Sequence, residues 1–223
     1  MDALRLDRSQ LMGYSELDRT AYNLAIGGLL LYGFLVNGII CYLGQNLIYY
    51  LSGGMFGLFM LLYFGCAILS VVLSSSQSAV VNFVGYNLLV LPIGILLSLT
   101  VPGFTWQTIQ AALIGTGVFV ALMTVAAWAM PAFFLSLGST LRVALIVTIL
   151  AELVLGLLGM AGNYFDYIIV AIFSLYLGFD WARANSCPAT LRNAILSATQ
   201  IYLDIINIFL RLLMIFGRNS RRR

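Results

Sequence analysis

Two aspartates lie inside long apolar segments in the last quarter of the chain. Asp180 lies in the stretch SLYLGFDWARA, and Asp204 lies in ATQIYLDIINIFLRLLMIFG. A charged side chain at the centre of a membrane helix costs about 2.5–3.5 kcal/mol on insertion scales, so such residues usually face a polar interior and mark an ion or proton path. We therefore expect these two carboxylates to form the functional centre of the protein.

The segment that contains Asp204 has a polar stripe along one face. Its polar residues follow one another at steps of three, four, three and four positions, which places them on one side of a helix with about 3.6 residues per turn. These residues are Ser197, Gln200, Asp204, Asn207 and Arg211. Because a polar stripe in an apolar bundle turns inward, the pattern predicts that this last helix lies at the centre of the bundle and lines a polar path.

Two chemistries suit the pair of aspartates. Carboxylates are hard oxygen ligands for Ca²⁺, and two of them bind weakly enough to release the ion, as a permeation site requires. Two neighbouring buried carboxyl groups also titrate as one coupled unit, which makes the pair a proton switch. The sequence has no histidine, so we expect the acids to be the pH sensor.

The same acids have structural alternatives. Asp180 could pair only with Arg183, and Asp204 only with Arg211, as satisfied charges in the bundle. Two further acids belong to the predicted interior: Asp166, which precedes Asp180 by about four turns and roughly 21 Å, and Glu152 in the preceding apolar segment. We regard these two as secondary acids, placed at other depths than the Asp180–Asp204 pair.

Enzymatic activity is not expected from this sequence. It contains no histidine, no GxSxG or HExxH motif and no phosphate-binding loop. An intramembrane aspartyl protease also needs two acids on two helices, but the GxGD element of those enzymes is missing. We therefore expect no catalytic residue and no bound cofactor, with Ca²⁺ only as a permeant ion.

The composition indicates an integral membrane protein. Of the 223 residues, 62% are hydrophobic and 9% are charged, whereas a soluble domain is about 25% charged. Residues 20–141 contain no Lys, Arg, Asp or Glu. Such a stretch cannot form a soluble surface, and the net charge of +3 comes from the two ends, so a lipid bilayer is expected as the environment and no nucleic acid as a partner.

Seven apolar segments, each near the roughly 20 residues that a helix needs to cross a bilayer, predict an all-α polytopic fold. A charged leader (1–19) precedes a transmembrane domain (20–217), and an Arg-rich tail (218–223) follows it. The predicted transmembrane helices are 21–44, 48–73, 79–100, 107–130, 140–160, 164–183 and 194–216.

The arginines predict the orientation. With a cytoplasmic N-terminus, six arginines lie on the cytoplasmic side and the opposite loops carry none, as the positive-inside rule requires. The arginines of the tail depart from this pattern. Either the seventh segment crosses despite the rule, or it enters the membrane and returns; we favour seven crossings.

The terminal motif YLDIINIFLRLLMIFG, the motif SLYLGFDWARA before it, and MPAFFLSLG after the fourth segment resemble the Bax inhibitor 1 family, the transmembrane BAX inhibitor motif group, which includes bacterial members. The resemblance extends along the whole chain in segment order. It implies a central last helix wrapped by six others and a pH-dependent calcium leak gated by a hydrogen-bonded aspartate pair. By motif, that pair corresponds to Asp180 and Asp204.

Two features differ from the family pattern. The first motif continues as FDWARANS, where the family often has FDTQ or YDxx. Bacterial relatives also carry an arginine on the second helix that holds the aspartate pair, whereas segment 48–73 has no charge. In this chain Arg142, Arg183 or Arg211 would have to take that role.

The sequence therefore predicts a pH-sensitive calcium leak of the bacterial inner membrane. Protonation of the pair is expected to break the shared hydrogen bond and to change cation access. The alternative is a regulatory membrane protein that binds a partner such as a membrane-bound quality-control protease, in which the charged leader and tail, and not the aspartates, would be required.

Overall fold

The computed structural model describes residues 16–47, 53–158 and 164–220, and these form helices and turns without a strand. The helices are α1 (Arg19–Leu43), α2 (Gly53–Ser74), α3 (Ala79–Thr100), α4 (Trp106–Ala129), α5 (Pro131–Ser136), α6 (Gly138–Leu157), α7 (Tyr164–Ser186) and α8 (Leu191–Ser220). A 3₁₀ turn, Val101–Gly103, follows α3. The predicted all-α fold is confirmed.

Six of these helices are long and apolar enough to cross a membrane. They are α1, α2, α3, α4, α7 and α8. The remaining predicted segment, 140–160, corresponds to α6, which is not among the six within the described part of the chain. The polytopic helical membrane protein is therefore confirmed, whereas the count of seven crossings stays a prediction.

The local sequence explains where the helices begin and end. The side chain of Asp18 accepts a hydrogen bond from the backbone N–H of Thr20 at the start of α1, and Thr105 caps α4 by accepting from the N–H of Thr108. These contacts satisfy donors that have no partner inside the helix. Pro131 opens α5, a short helix in a stretch that the sequence analysis treated as a break.

The surface of the helices is strongly apolar. Large side chains are widely exposed, including Leu61 (72%), Val71 (71%) and Trp128 (81%). Contiguous apolar surface on this scale is unstable in water and stable against lipid acyl chains. The exposed residues therefore provide the face that a bilayer covers.

The last helix has the largest buried share of the six candidate crossings, 61% of its most apolar window, against 6% for α2 and 50% for α7. It runs without interruption for 30 residues, about 45 Å at 1.5 Å per residue. An uninterrupted helix of this length does not enter the membrane and return. The predicted leader lies mostly outside the described residues, and Arg218, assigned to the predicted tail, belongs to α8.

The chain divides into two compact units. The first contains residues 1–97 and 186–199, and the second contains residues 98–185 and 200–223. Helix α8 contributes its first turns to the first unit and the rest to the second.

The first unit is held by hydrogen bonds between helices. The Tyr86 hydroxyl donates to the backbone carbonyl of Leu29 (2.8 Å), and the Tyr22 and Ser197 hydroxyls are 3.2 Å apart. The Arg192 side chain donates to the carbonyl of Ser76 (2.9 Å) and so ties the start of α8 to the α2–α3 turn.

Close packing in the second unit depends on glycines, two of them near Asp180. Ring atoms of Phe134 occupy the position where a Cβ at Gly178 would lie, and the Phe179 ring does the same at Gly138. Phe134 also belongs to a buried apolar cluster with Ala127 and Ala182. These contacts join α4, α5 and α7 and fix the end of α7 that carries Asp180.

Candidate functional site

Helices α7 and α8 place the two predicted aspartates in contact within the second unit. The carboxyl groups of Asp180 and Asp204 lie close enough to interact electrostatically. Both residues are buried, with 6% and 4% of their surface exposed. Two ionised carboxylates placed this close repel each other, so the arrangement is stabilised by a proton or a cation.

The surroundings of Asp204 are sparse in hydrogen-bond donors. Its Oδ2 atom is buried and accepts no hydrogen bond from the residues that the structure describes. A buried acceptor without a donor is costly, by about 1–3 kcal/mol. The Oδ2 atom of Asp204 therefore lacks a partner among the described residues, and a proton or a bound cation would supply one.

The pair lies on the wall of a cavity of about 760 Å³. Its lining comes from α5, α6, α7 and α8, and it combines charged, amide and hydroxyl groups with aromatic and leucine side chains. The polar and charged lining residues are Ser139, Arg142, Tyr176, Asp180, Arg183, Gln200, Asp204 and Asn207. The cavity thus places several polar and charged groups on a wall that is otherwise largely apolar.

Arg183 holds the Asp180 side of the pair. Its guanidinium lies 3.9 Å from the Asp180 carboxylate and donates a hydrogen bond to the Gln200 side chain. Because Arg183 follows Asp180 by three positions, the two side chains leave the same face of α7. Of the three arginines considered for the role of the missing second-helix arginine, this one contacts the pair.

The predicted polar stripe of α8 divides into three parts. Gln200, Asp204 and Asn207 line the cavity. Ser197 instead pairs with Tyr22 in the first unit. Arg211 is not in the cavity lining and belongs to a separate ionic cluster.

This ionic cluster consists of Glu152, Asp166, Arg211 and Arg218. Arg211 donates to both oxygens of Glu152 (2.8 and 3.1 Å) and to Asp166 (2.9 Å), and Arg218 donates to the other oxygen of Asp166. Two acids and two arginines leave the cluster without net charge. The secondary acids therefore do not join the Asp180–Asp204 pair, and the structural alternative in which Asp204 pairs with Arg211 does not occur.

Two polar lining residues of the cavity, Tyr176 and Ser139, were not predicted from the sequence, and Arg142 was considered only as a substitute for the second-helix arginine. Tyr176 lies one turn before Asp180 on α7 and interacts electrostatically with both aspartates and with Arg142. Its spacing of four residues from Asp180 was a usable signal, because residues i and i+4 share a helix face. Ser139 and Arg142 are contributed by the start of α6, and their spacing carries no such link to the pair.

The described residues contain no group of three or more His, Cys, Asp or Glu side chains that could hold a metal ion. Two carboxylates are fewer oxygen ligands than Ca²⁺ takes in a tight site, where it has six to eight. Any cation at the pair would keep much of its water.

The sequence matches the family model described as Inhibitor of apoptosis-promoting Bax1 over residues 15–221. The chain belongs to the Bax inhibitor family. The match includes both aspartate motifs and the eight helices that the structure describes, in agreement with the resemblance noted from the sequence. No curated protein matches the chain with significant similarity.

Proposed function

We propose that this member of the Bax inhibitor family is a proton-sensitive calcium leak, with Asp180 and Asp204 as the sensor and cation site. The observation that carries the proposal is the proximity of two buried carboxyl groups on the wall of a cavity of about 760 Å³. Both acids come from the motifs that resemble the family, and the family match supports the same assignment.

Proton number controls the charge of the pair. With one shared proton the pair carries a single negative charge, and Arg183 balances it from 3.9 Å. Loss of that proton leaves two negative charges in contact, which repel each other and attract a divalent cation. A second proton removes the charge that holds Arg183 and leaves no attraction for Ca²⁺.

The two carboxylates would bind Ca²⁺ weakly, which suits permeation better than tight binding. A permeant ion must be attracted enough to enter and released easily enough to leave. The side chains of Gln200 and Asn207 add neutral oxygens beside the pair along the same cavity wall. In the orientation that the arginines predict, this cavity opens toward the cytoplasmic side of the bacterial inner membrane.

The test is calcium flux in proteoliposomes between about pH 5 and pH 8, with the parent compared with Asp204→Asn and Asp180→Asn. We expect a pH-dependent leak in the parent and a flat, altered response in both variants, because asparagine keeps the shape and removes the titration. Asp18→Asn is the matched control, since Asp18 caps α1 outside the cavity and asparagine also caps well.

The proposal fails if well-folded parent protein shows only the flux of empty liposomes at every pH. It also fails if Asp204→Asn and Asp180→Asn retain the pH profile of the parent. In the first case, the partner-binding alternative would become the better hypothesis, and deletion of residues 1–15 or 221–223 would test it.

A further inference from the structure

The cavity lining holds an acid and an arginine that form no ion pair with each other. One is Asp204, whose buried Oδ2 has no donor within the described part of the chain. The other is Arg142. Tyr176 interacts electrostatically with Asp204, Asp180 and Arg142, so its side chain is near both the acid and the arginine.

The guanidinium of Arg142 uses only its Nε atom in the hydrogen bond that the structure gives it. Its Nε donates to the backbone carbonyl of Gly138 (3.2 Å), and it forms no ion pair with a described acid. The bond at Nε orients the side chain and leaves the terminal nitrogens for another group. A guanidinium held in this way suits the bidentate recognition of a phosphate or carboxylate.

The volume of the cavity exceeds what a calcium ion needs. An ion with about eight waters, at ~30 Å³ for each water, fills roughly a third of the 760 Å³. Cavities of about 300–1,000 Å³ are typical of small-molecule sites. Phe173, Phe179 and Leu203 add apolar wall beside the charges, which suits the methylene groups of an organic ligand.

From these features we propose that the cavity binds a small zwitterion with a primary ammonium and an acidic group, the chemistry of phosphoethanolamine. The ammonium donates to the Asp180–Asp204 pair and supplies the donor that Asp204 lacks. The phosphate or carboxylate binds the terminal nitrogens of Arg142. Such a ligand is either free in solution or the headgroup of phosphatidylethanolamine in the surrounding bilayer, and it competes with Ca²⁺ for the aspartate pair.

The experiment uses the purified full chain and has two arms. In detergent, microcalorimetry measures the binding of O-phosphoethanolamine, with inorganic phosphate and ethanolamine as half-ligands. In native mass spectrometry, retention of phosphatidylethanolamine is compared with retention of phosphatidylglycerol, which lacks the ammonium. Binding in the first arm identifies a soluble ligand, and selective retention only in the second identifies the lipid headgroup.

The variants assign the two ends of the ligand. Arg142→Gln should weaken binding in the responding arm by about ten-fold or more, and because Arg142 is exposed its replacement removes little packing. Arg19→Gln is the matched control, since Arg19 lies on α1 in the first unit and should leave binding unchanged. Asp204→Asn should abolish the advantage of phosphoethanolamine over phosphate while phosphate binding persists.

Three results would overturn the proposal. One is equal binding of phosphoethanolamine and phosphate together with equal retention of the two lipids. Another is unchanged affinity in Arg142→Gln. The last is the absence of binding in both arms by parent protein whose thermal unfolding is cooperative. None of these measurements involves calcium flux, so the calcium-leak proposal stands or fails separately.

Discussion

Removal of Arg211 should destabilise the protein more than any other single change in the ionic cluster. Arg211 makes three charge-assisted hydrogen bonds, two to Glu152 and one to Asp166, and 23% of its side chain is exposed. Breaking a buried ion pair by removing one partner costs about 3–5 kcal/mol. Since Glu152 can hydrate and Asp166 keeps Arg218, we expect about 3 kcal/mol for Arg211→Met.

Glu152→Gln should cost much less. The Glu152 side chain is 34% exposed, and Arg211 keeps its bond to Asp166 in that variant. Exposed ion pairs contribute about 1 kcal/mol or less, so we expect roughly 1 kcal/mol. Both substitutions break the Arg211–Glu152 ion pair, and their difference reports the Arg211–Asp166 ion pair that only Arg211→Met removes.

Thermal unfolding in detergent micelles measures both changes. For a chain of this size, 1 kcal/mol shifts Tm by about 2–4 °C, so Arg211→Met should lower Tm by about 6–12 °C. Arg192→Gln is a control arginine on the same helix, with hydrogen bonds to the Ser76 carbonyl and to Asn193 and no acid partner among the described residues. A shift below 2 °C for Arg211→Met, or a larger shift for Glu152→Gln, would refute the argument.

Two further substitutions test the packing within each unit. Gly178→Ala should cost about 1–3 kcal/mol because its Cβ overlaps the Phe134 ring, whereas Gly117→Ala meets open space and should be neutral or stabilising; Tm in micelles separates the two, and equal values would contradict the close approach. Tyr22→Phe should cost about 1 kcal/mol by removing the hydroxyl contact to Ser197, and an unchanged denaturation midpoint in mixed micelles would show that this contact contributes nothing.

Periodicity in the sequence predicted one wall of the cavity. The spacing of Gln200, Asp204 and Asn207 placed them on one face of α8, and all three line the cavity. It did not separate Arg211 from them, because a face extends along the whole helix while a cavity has limited depth. Arg211 lies seven residues after Asp204, about 10 Å farther along the axis, and there it meets acids from two other helices.

The contribution of α6 could not be predicted from the sequence. Asp180 and Tyr176 share a face by spacing, but Arg142 reaches the same cavity only because α6 packs beside α7. Contacts between helices depend on tertiary packing, as in the fit of Phe179 against Gly138, and one sequence does not encode them as a readable spacing. The same limit explains why Arg218, assigned to the predicted tail, instead binds Asp166.

The ionic cluster also constrains how the protein is made. Helix α8 carries Asp204 and Arg211 into the membrane, at about 5–7 kcal/mol for two charged groups on insertion scales. The partners of both residues, on α6 and α7, precede α8 in the chain and so leave the ribosome before it. Arg211 therefore enters the membrane toward acids that are already in place, and replacing both Glu152 and Asp166 by neutral residues would leave the last helix poorly inserted and exposed to membrane quality control.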